Sequence, residues 1–435
     1  MKIAVVALGK IGLPLAVQFA KKGHHVIGCD VNPKTVELVN QGVEPFPGEA
    51  HLGDYMKEVV GSGNLTATVD TTKAVSESDA VVIVVPLFVD SEGVPDFGWM
   101  DEATEKIAAG LKPGTLVSYE TTLPVGTTRN RFAKALEKGS GLTAGKDFSL
   151  VFSPERVLTG RVFADLRKYP KLVGGIDEAS TAHGVRFYEA VLDFDDRPDL
   201  QQKNGVWDLG TCEASEMAKL AETTYRDVNI ALANQFAKFA EGANIDIAKV
   251  IAASNSQPYS HIHQPGIAVG GHCIPIYPRF YLWNDPQATV VRAARETNAG
   301  MPSHAVSLLN SALGTLQGKK VAVLGISYRG GVKESAFSGV FATVAALKDH
   351  GANVVVNDPM YTDEEITRLG FTPYAIGDAT AGTIDGMILQ ADHSEYKKLT
   401  PSQFPGLKAV VDGRRALDAS AFTGVDFRVI GAPAH

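Results

Sequence analysis

The chain has little cysteine, no long apolar run and no surplus of positive charge, and each shortage excludes something. Three cysteines in 435 residues, Cys29, Cys212 and Cys273, are too few and too odd for a disulfide framework. None lies in a Cys-x-x-Cys pair, so neither a zinc ribbon nor a thioredoxin-like centre is expected, and a reducing cytoplasm is the expected compartment. No apolar stretch approaches the roughly 20 residues that span a bilayer; Ala80–Pro86 is strand-sized. Met1-Lys2 leads straight into a strand-like stretch, without a separate signal-peptide core. Forty-one basic against 49 acidic residues give a net charge of −8. That argues against broad binding to nucleic acid or anionic lipid, while allowing a local basic pocket. No low-complexity tract is present. With 45% hydrophobic and 21% charged residues, the chain reads as globular, and at roughly 100–200 residues per domain it holds two or three.

What is there is an α/β pattern, interrupted once. Lys2–Ala7 is β-branched and apolar, Leu13–Lys22 has helical spacing and stops at Gly23, and His25–Gly28 is a second strand closing on Cys29-Asp30. Buried-strand signals follow at Ala80–Val85, Leu116–Ser118, Ser149–Phe152 and Leu172–Gly174, with helical segments such as Trp99–Leu111 and Thr128–Lys138 between them. Alternation of this kind predicts a doubly wound parallel sheet. Residues Cys212–Glu241 then carry one helical pattern without Pro or Gly, about 45 Å long at 1.5 Å per residue. Such a helix suits a connecting or dimer-forming element. From Lys320 the α/β pattern restarts: Lys320–Gly325 echoes Lys2–Ala7, and Val354–Asp358 echoes Val26–Asp30. Asp358 lies 38 residues after Lys320 and Asp30 lies 28 after Lys2, so the second unit carries a ten-residue insertion. The expected domains are 1–200, a Rossmann-type unit; 201–300, central and helical; and 301–435, a second Rossmann-like unit.

Two segments carry chemistry on their own residues. In Ala7-Leu-Gly9-Lys10-Ile11-Gly12, Gly9 and Gly12 hold the second and third places of a dinucleotide fingerprint, and Ala7 stands at the first. A strand precedes, a helix follows, and Asp30 ends the next strand, where a carboxylate bonds a ribose 2′-hydroxyl and repels a 2′-phosphate; NAD is the expected cofactor. Gly270-Gly271-His272-Cys273 places a thiol beside two glycines that let the backbone approach a ligand. Cys273 reads either as a nucleophile or as a small buried hydrophobe. Cys29, at a strand end, and Cys212, at a helix start, read as structural. Lys219 sits within the apolar stripe of the long helix, either as a snorkelling edge residue or as an active-site cation. His261, His263 and His272 lack further ligand-spaced partners, and no metal is expected. His393 reads as a strand-capping residue or as a substrate contact.

Taken in order, Leu8-Gly-Lys-Ile-Gly-Leu-Pro14, Asp30-Val-Asn-Pro-Lys34, Thr122-Leu-Pro-Val-Gly126, Ser153-Pro-Glu-Arg-Val157, Glu216-Met-Ala-Lys-Leu220, Gly270-Gly-His-Cys-Ile-Pro275 and Asp412-Gly-Arg414 resemble the UDP-glucose/GDP-mannose dehydrogenase family over essentially the whole chain. The resemblance implies an N-terminal NAD domain, a central helical region that forms a homodimer or larger homo-oligomer, and a C-terminal nucleotide-sugar domain. It implies oxidation of a nucleotide-sugar C6 alcohol to the uronate with two NAD and one water. By the same resemblance Cys273 is the nucleophile, Lys219 stabilises the developing alkoxide, Glu155 activates water and Thr122 positions it. Gly9, Lys10, Ile11, Gly12, Asp30, Lys34 and Thr122 are the implied cofactor contacts. Glu155, Arg156, Lys219, His272, Tyr328, Arg329 and Arg414 are the implied substrate contacts.

The sequence departs from the family pattern at four places. Tyr277 stands where the family has an aspartate four residues after the cysteine, and Thr223 where it has an asparagine four after the lysine. Tyr259 replaces a commonly found arginine, and Arg329 a lysine. Ser-Pro-Glu-Arg-Val and Gly-Gly-His-Cys-Ile-Pro resemble the N-acetylhexosamine branch, with UDP-N-acetylmannosamine as the expected substrate. A UDP- or TDP-glucose 6-dehydrogenase, a two-electron enzyme that stops at the aldehyde, and a degenerate nucleotide-sugar-binding protein remain the alternatives.

Overall fold

The computed structural model describes residues 1–90, 92–378 and 382–434. They divide into two compact units, Met1–Glu222 and Thr223–His435, and the boundary falls inside the long helix Cys212–Gly242 of 31 residues.

In the first unit the strands are β1 (Lys2–Val6), β2 (His25–Cys29), β3 (Leu65–Thr68), β4 (Ala80–Ile83), the two-residue β5 (Phe88–Val89) and β6 (Pro95–Asp96), β7 (Leu116–Tyr119), β8 (Ser149–Phe152), β9 (Lys171–Gly175) and β10 (Val206–Thr211). Eight of them form one sheet in the order β10-β9-β8-β7-β4-β1-β2-β3. β1, β4, β7 and β8 are buried along most or all of their length because helices cover both faces, which is why they read as continuous apolar runs. Pairing is parallel from β3 through β8. It reverses at β8–β9, so β9 and β10 run against the other six. The sequence, which fixes strand faces but not direction, had suggested one uniformly parallel sheet. The helix Gly12–Lys21 lays Leu13, Leu15, Ala16, Val17, Phe19 and Ala20 onto the sheet beside Ile3 and Val5. The segment expected as one helix from Thr128 is a π-helical turn, Thr128–Ala133, continued by the α-helix Lys134–Ser140.

The second unit holds β11 (Lys320–Leu324), β12 (Asn353–Asn357), β13 (Gly386–Leu389), β14 (Ala409–Asp412) and β15 (Asp426–Val429). They pair in parallel in the order β12-β11-β13-β14-β15. Side chains alternate between faces: Val321 and Val323 join a core with Met301, Ala305 and Leu309, whereas Ala322 and Leu324 join Met387, Leu389, Phe404 and Phe422. Between β1 and its helix lie residues 7–11, and between β11 and the helix Val340–Asp349 lie residues 325–339. The ten extra residues of the second unit therefore all fall in the turn that follows the first strand.

On the long helix, Leu220, Ala231, Ala233, Ala237 and Ala240 are buried, while Tyr225, Leu232, Phe236 and Phe239 are exposed. Among the described residues, no helix is long and apolar enough to cross a membrane.

Candidate active site

The first unit presents the glycine turn after β1. Ala7 has φ +77°, the left-handed conformation that the fingerprint normally reserves for glycine. Its N–H donates to Cys29 O at 2.8 Å. A Cβ on Gly12 would stand 1.9 Å from Ala7 O, so only glycine lets the helix begin so close to the strand. A Cβ on Gly9 would meet nothing within 4 Å; the exposed Gly9 leaves open space at the helix start, as a pyrophosphate requires. Asp30 closes β2. Its Oδ2 accepts from Leu8 N–H at 2.9 Å and its Oδ1 from Asn32 N–H at 2.9 Å. One backbone donor per oxygen leaves each a lone pair for a ribose diol. The turn, the open helix start and the carboxylate fit NAD. Lys10 is exposed and Ile11 packs on the core. Lys34 turns its ammonium to Glu37, 2.9 Å away on the surface.

A second cluster gathers at the ends of β7, β8 and β9. Lys171, which begins the buried strand β9, donates to Glu120 Oε2 at 2.6 Å and to Glu155 Oε2 at 3.4 Å. Tyr188 OH donates to Glu120 Oε1 at 2.6 Å and lies 2.7 Å from Ser118 Oγ. Burial pushes the Glu120 carboxyl up, with the Lys171 charge only partly offsetting it. Burial also works against ionised Glu155, yet Lys171, the Glu120 contact, the Arg156 N–H and Lys219 together hold that carboxyl below its usual range. For Lys171, the two carboxylates outweigh burial and raise the ammonium. Arg156 is committed within the unit, to Glu222 Oε2 at 2.9 Å and Pro170 O at 3.2 Å.

The turn Thr122–Gly126 is tied to the long helix by Glu216. This buried carboxylate accepts from Gly126 N–H at 2.5 Å, Thr128 N–H at 2.9 Å and Thr128 Oγ1 at 2.7 Å. Burial raises its carboxyl to about 7, the Thr128 and Gly126 donors opposing. Lys219 follows Glu216 at i+3, on the same helix face, and both Lys219 and Thr122 are buried. Lys219 is therefore not a snorkelling edge residue.

In the second unit Cys273 is exposed, whereas Cys29 and Cys212 are buried. Burial lifts the Cys29 thiol to about 12 and the Cys212 thiol higher still. The Cys273 carbonyl accepts from Tyr277 N–H at 2.9 Å as the chain enters the helix Tyr277–Asn284. Tyr328 packs on the glycine pair: a Cβ on Gly270 would be 2.5 Å from Tyr328 Cβ, and one on Gly271, at φ +89°, 3.3 Å from the ring. His272 Nε2 lies 3.4 Å from Glu334 Oε2. Arg414 donates to Gln390 O at 2.9 Å and Tyr328 O at 3.1 Å, and Arg329 Nε to Tyr328 OH at 3.2 Å. The fold thus sets Arg329, Arg414 and the glycine pair that precedes His272 and Cys273 against Tyr328. Tyr277 stacks on Phe280 at 5.7 Å between centroids, Thr223 is buried, and Tyr259 is 93% exposed.

Sequence reasoning missed Lys171 and Tyr188, and saw Glu216 only as part of a longer motif. A lysine opening the otherwise apolar Lys171-Leu-Val-Gly-Gly strand was the available signal, since an unpaired charge does not stay buried.

A glycine turn shaped for a dinucleotide, followed by a second unit of the same winding, fits an NAD-dependent dehydrogenase. The chain belongs to the UDP-glucose/GDP-mannose dehydrogenase family. Its NAD binding domain matches residues 1–192, its central domain 213–300 and its UDP binding domain 322–419. The UDP-N-acetyl-D-mannosamine dehydrogenase of Pyrococcus horikoshii is 33% identical over 99% of both chains. A solved structure of UDP-D-ManNAc dehydrogenase from that organism superposes with a TM-score of 0.86 at 31% identity, covering 99% of each chain. A UDP-glucose dehydrogenase from Pyrobaculum islandicum gives the same TM-score at 25% identity, covering 99% of this chain and 98% of its own.

Proposed function

We propose that this enzyme oxidises the C6 alcohol of a UDP-N-acetylhexosamine, UDP-N-acetylmannosamine in particular, to the uronate. The observation that carries the reading is Cys273, the exposed thiol on a glycine pair covered by Tyr328. The Ser153–Val157 and Gly270–Pro275 motifs and the mannosamine relatives favour the N-acetylhexosamine. NAD, when bound, accepts a hydride in each of the two oxidations. Lys219 stabilises the alkoxide as the hydroxyl loses its proton. The aldehyde cannot lose a second hydride until it is tetrahedral, and Cys273 makes it so by adding as a thiolate, forming a C–S bond. The resulting thiohemiacetal becomes a thioester after the second oxidation. Glu155 takes a proton from water, the water oxygen attacks the thioester carbon, and the C–S bond breaks to release carboxylate and thiolate. In sum, one alcohol, two NAD⁺ and one water give one carboxylate, two NADH and three protons. The exposed apolar residues of the long helix support a homodimer, and three free cysteines in 435 residues support a cytoplasmic setting.

UDP-glucose is the second reading, favoured by the equal structural likeness to the Pyrobaculum enzyme. NADH release across UDP-glucose, TDP-glucose, UDP-N-acetylglucosamine and UDP-N-acetylmannosamine decides between them. Two NADH per UDP-N-acetylmannosamine is the expected result, and turnover confined to the glucose nucleotides would replace it. Cys273→Ser should abolish uronate release; undiminished uronate would remove Cys273 as nucleophile.

A further inference from the structure

Glu120, Lys171 and Tyr188 are charged or polar groups sealed inside the first unit, and the reaction as written uses none of them. Glu120 is wholly buried and Lys171 nearly so. Burying two carboxylates with one ammonium is costly, and stability alone does not favour it, because well-packed apolar groups of the same volume serve as well or better. The arrangement is directional. Lys171 is bonded more closely to Glu120, at 2.6 Å, than to Glu155, at 3.4 Å. Glu120 is itself fixed by the Tyr188 hydroxyl and cannot swing away, and the Lys171 ammonium sits 4.8 Å from the Tyr188 ring centroid. Glu155 keeps its other oxygen on its neighbour's backbone, accepting Arg156 N–H at 2.8 Å.

We propose that Lys171 and Glu120 are positioning residues for Glu155: the buried ammonium orients the Glu155 carboxylate and holds it ionised, and Glu120 sets how much of that ammonium Glu155 receives. This rests on the reading of Glu155 as the base in thioester hydrolysis. A base must meet water in its anionic form, and a carboxylate in a closing, apolar site tends to take up a proton. Lys171, itself buried, donates to Glu155 Oε2 and opposes that tendency. The charged and titratable groups around Glu155 act with different weight. Lys171 on β9 and Lys219 on the long helix favour its anion, and Glu120 beyond β7 disfavours it as a like charge when ionised and favours it by a hydrogen bond only when protonated. The Arg156 side chain and Glu222 neutralise each other. Asp165 faces Arg161, Tyr169 lines the pocket shared by Glu155 and Lys171, and Tyr188 is spent on Glu120.

The prediction is a pair of opposite shifts in the full-length enzyme. With the UDP sugar that turns over, single-turnover measurements separate the NADH-forming phases from release of uronate from Cys273. Lys171→Met should move the acidic limb of the release phase to higher pH by about one unit or more, and Glu120→Gln should move it to lower pH, as expected for removing one opposite or one like charge within ~4–6 Å. Lys171→Arg should restore most of the wild-type profile. A merely structural role would slow all phases together and leave the limb in place, and that result overturns the proposal. Isotope-edited infrared difference spectra against Glu155→Gln follow ionisation of Glu155 without turnover. If this titration is unmoved in Glu120→Gln, the proposal fails even should Lys171→Met not fold. If it moves while the release profile does not, the assignment of Glu155 as base fails instead, and the tuning of its ionisation stands.

Discussion

The two halves of this enzyme use one strand–turn–helix–strand device in opposite ways. In the first, Asp30 at the end of β2 takes two backbone N–H groups and stays half-exposed. In the second, Asp358 at the end of β12 repeats the bonds: its Oδ2 accepts from Ile326 N–H at 2.7 Å and its Oδ1 from Met360 N–H at 2.9 Å. There the likeness stops. Asp358 is buried, a further bond reaches it from Ser327 N–H, and His393 Nε2 lies 3.1 Å from it. Gly331 N–H points at His393 Nδ1 from 3.3 Å, so the imidazole proton is assigned to Nε2. The ten-residue insertion, to which Gly331 belongs, reaches His393 from one side while the loop after β13 brings it in from the other. A carboxylate spent on an imidazole has none of the exposure a ribose contact needs. The winding makes the carboxylate's seat, and the loops decide whether it stays open, as at Asp30, or is filled by the protein, as at Asp358.

The largest effect that would break this contrast is expected from Asp358→Ala. Removing the carboxylate leaves the Ile326 and Met360 N–H groups and the His393 imidazole without their acceptor, at about 1–3 kcal/mol each, so the second unit should unfold at a much lower temperature while NAD affinity holds; calorimetry and an NAD titration of the same sample check both. Burial is the largest influence and disfavours the Asp358 anion, but the His393 bond together with the Ile326 and Met360 N–H donors outweighs it and holds the carboxyl below its usual value. A lowered folded-state value gives stability that is complete above the ordinary carboxylate range and lost as pH falls through the folded value. Asp358→Ala should accordingly flatten the acid side of the stability curve. Next in size, Asp30→Ala should cost about 1.5–2 kcal/mol of NAD binding, roughly 10–30-fold in Kd, with a smaller loss for NADP because the repulsion of its phosphate disappears. Equal loss for both cofactors would place the ribose contact elsewhere. The smallest change is Ala7→Gly. It relieves a left-handed backbone at the position where the second unit already has Gly325, at φ +104°, and should stabilise the first unit by about 0.5–1 kcal/mol.

Much of this was legible beforehand because it depends on local rules. The helix over Gly12–Lys21, the 31-residue helix and the buried strands follow from periodicity. Gly9, Gly12 and Asp30 were legible from their spacing, and the inserted ten residues from counting between Lys320 and Asp358. Cys273 was open between nucleophile and buried hydrophobe, because a thiol in a glycine loop reads the same either way; its exposure settles only that it is not buried. The reversal at β8–β9 was not legible, since alternation of buried residues carries no strand direction. Lys171 was hidden for another reason: its meaning lies in Glu120, 51 residues before it, and in Tyr188, on the helix Glu178–Val191 that follows it.

By itself, then, the amino-acid order determined the two windings and the glycine turn shaped for a dinucleotide, because short-range periodicity and glycine sterics are read within a few residues of chain. Only the tertiary structure decided which aspartate is free and which is consumed, and which carboxylate shares a lysine with its neighbour. Those outcomes depend on burial and on charges brought together across tens of residues, where a few ångströms separate an ion pair from two solvated groups.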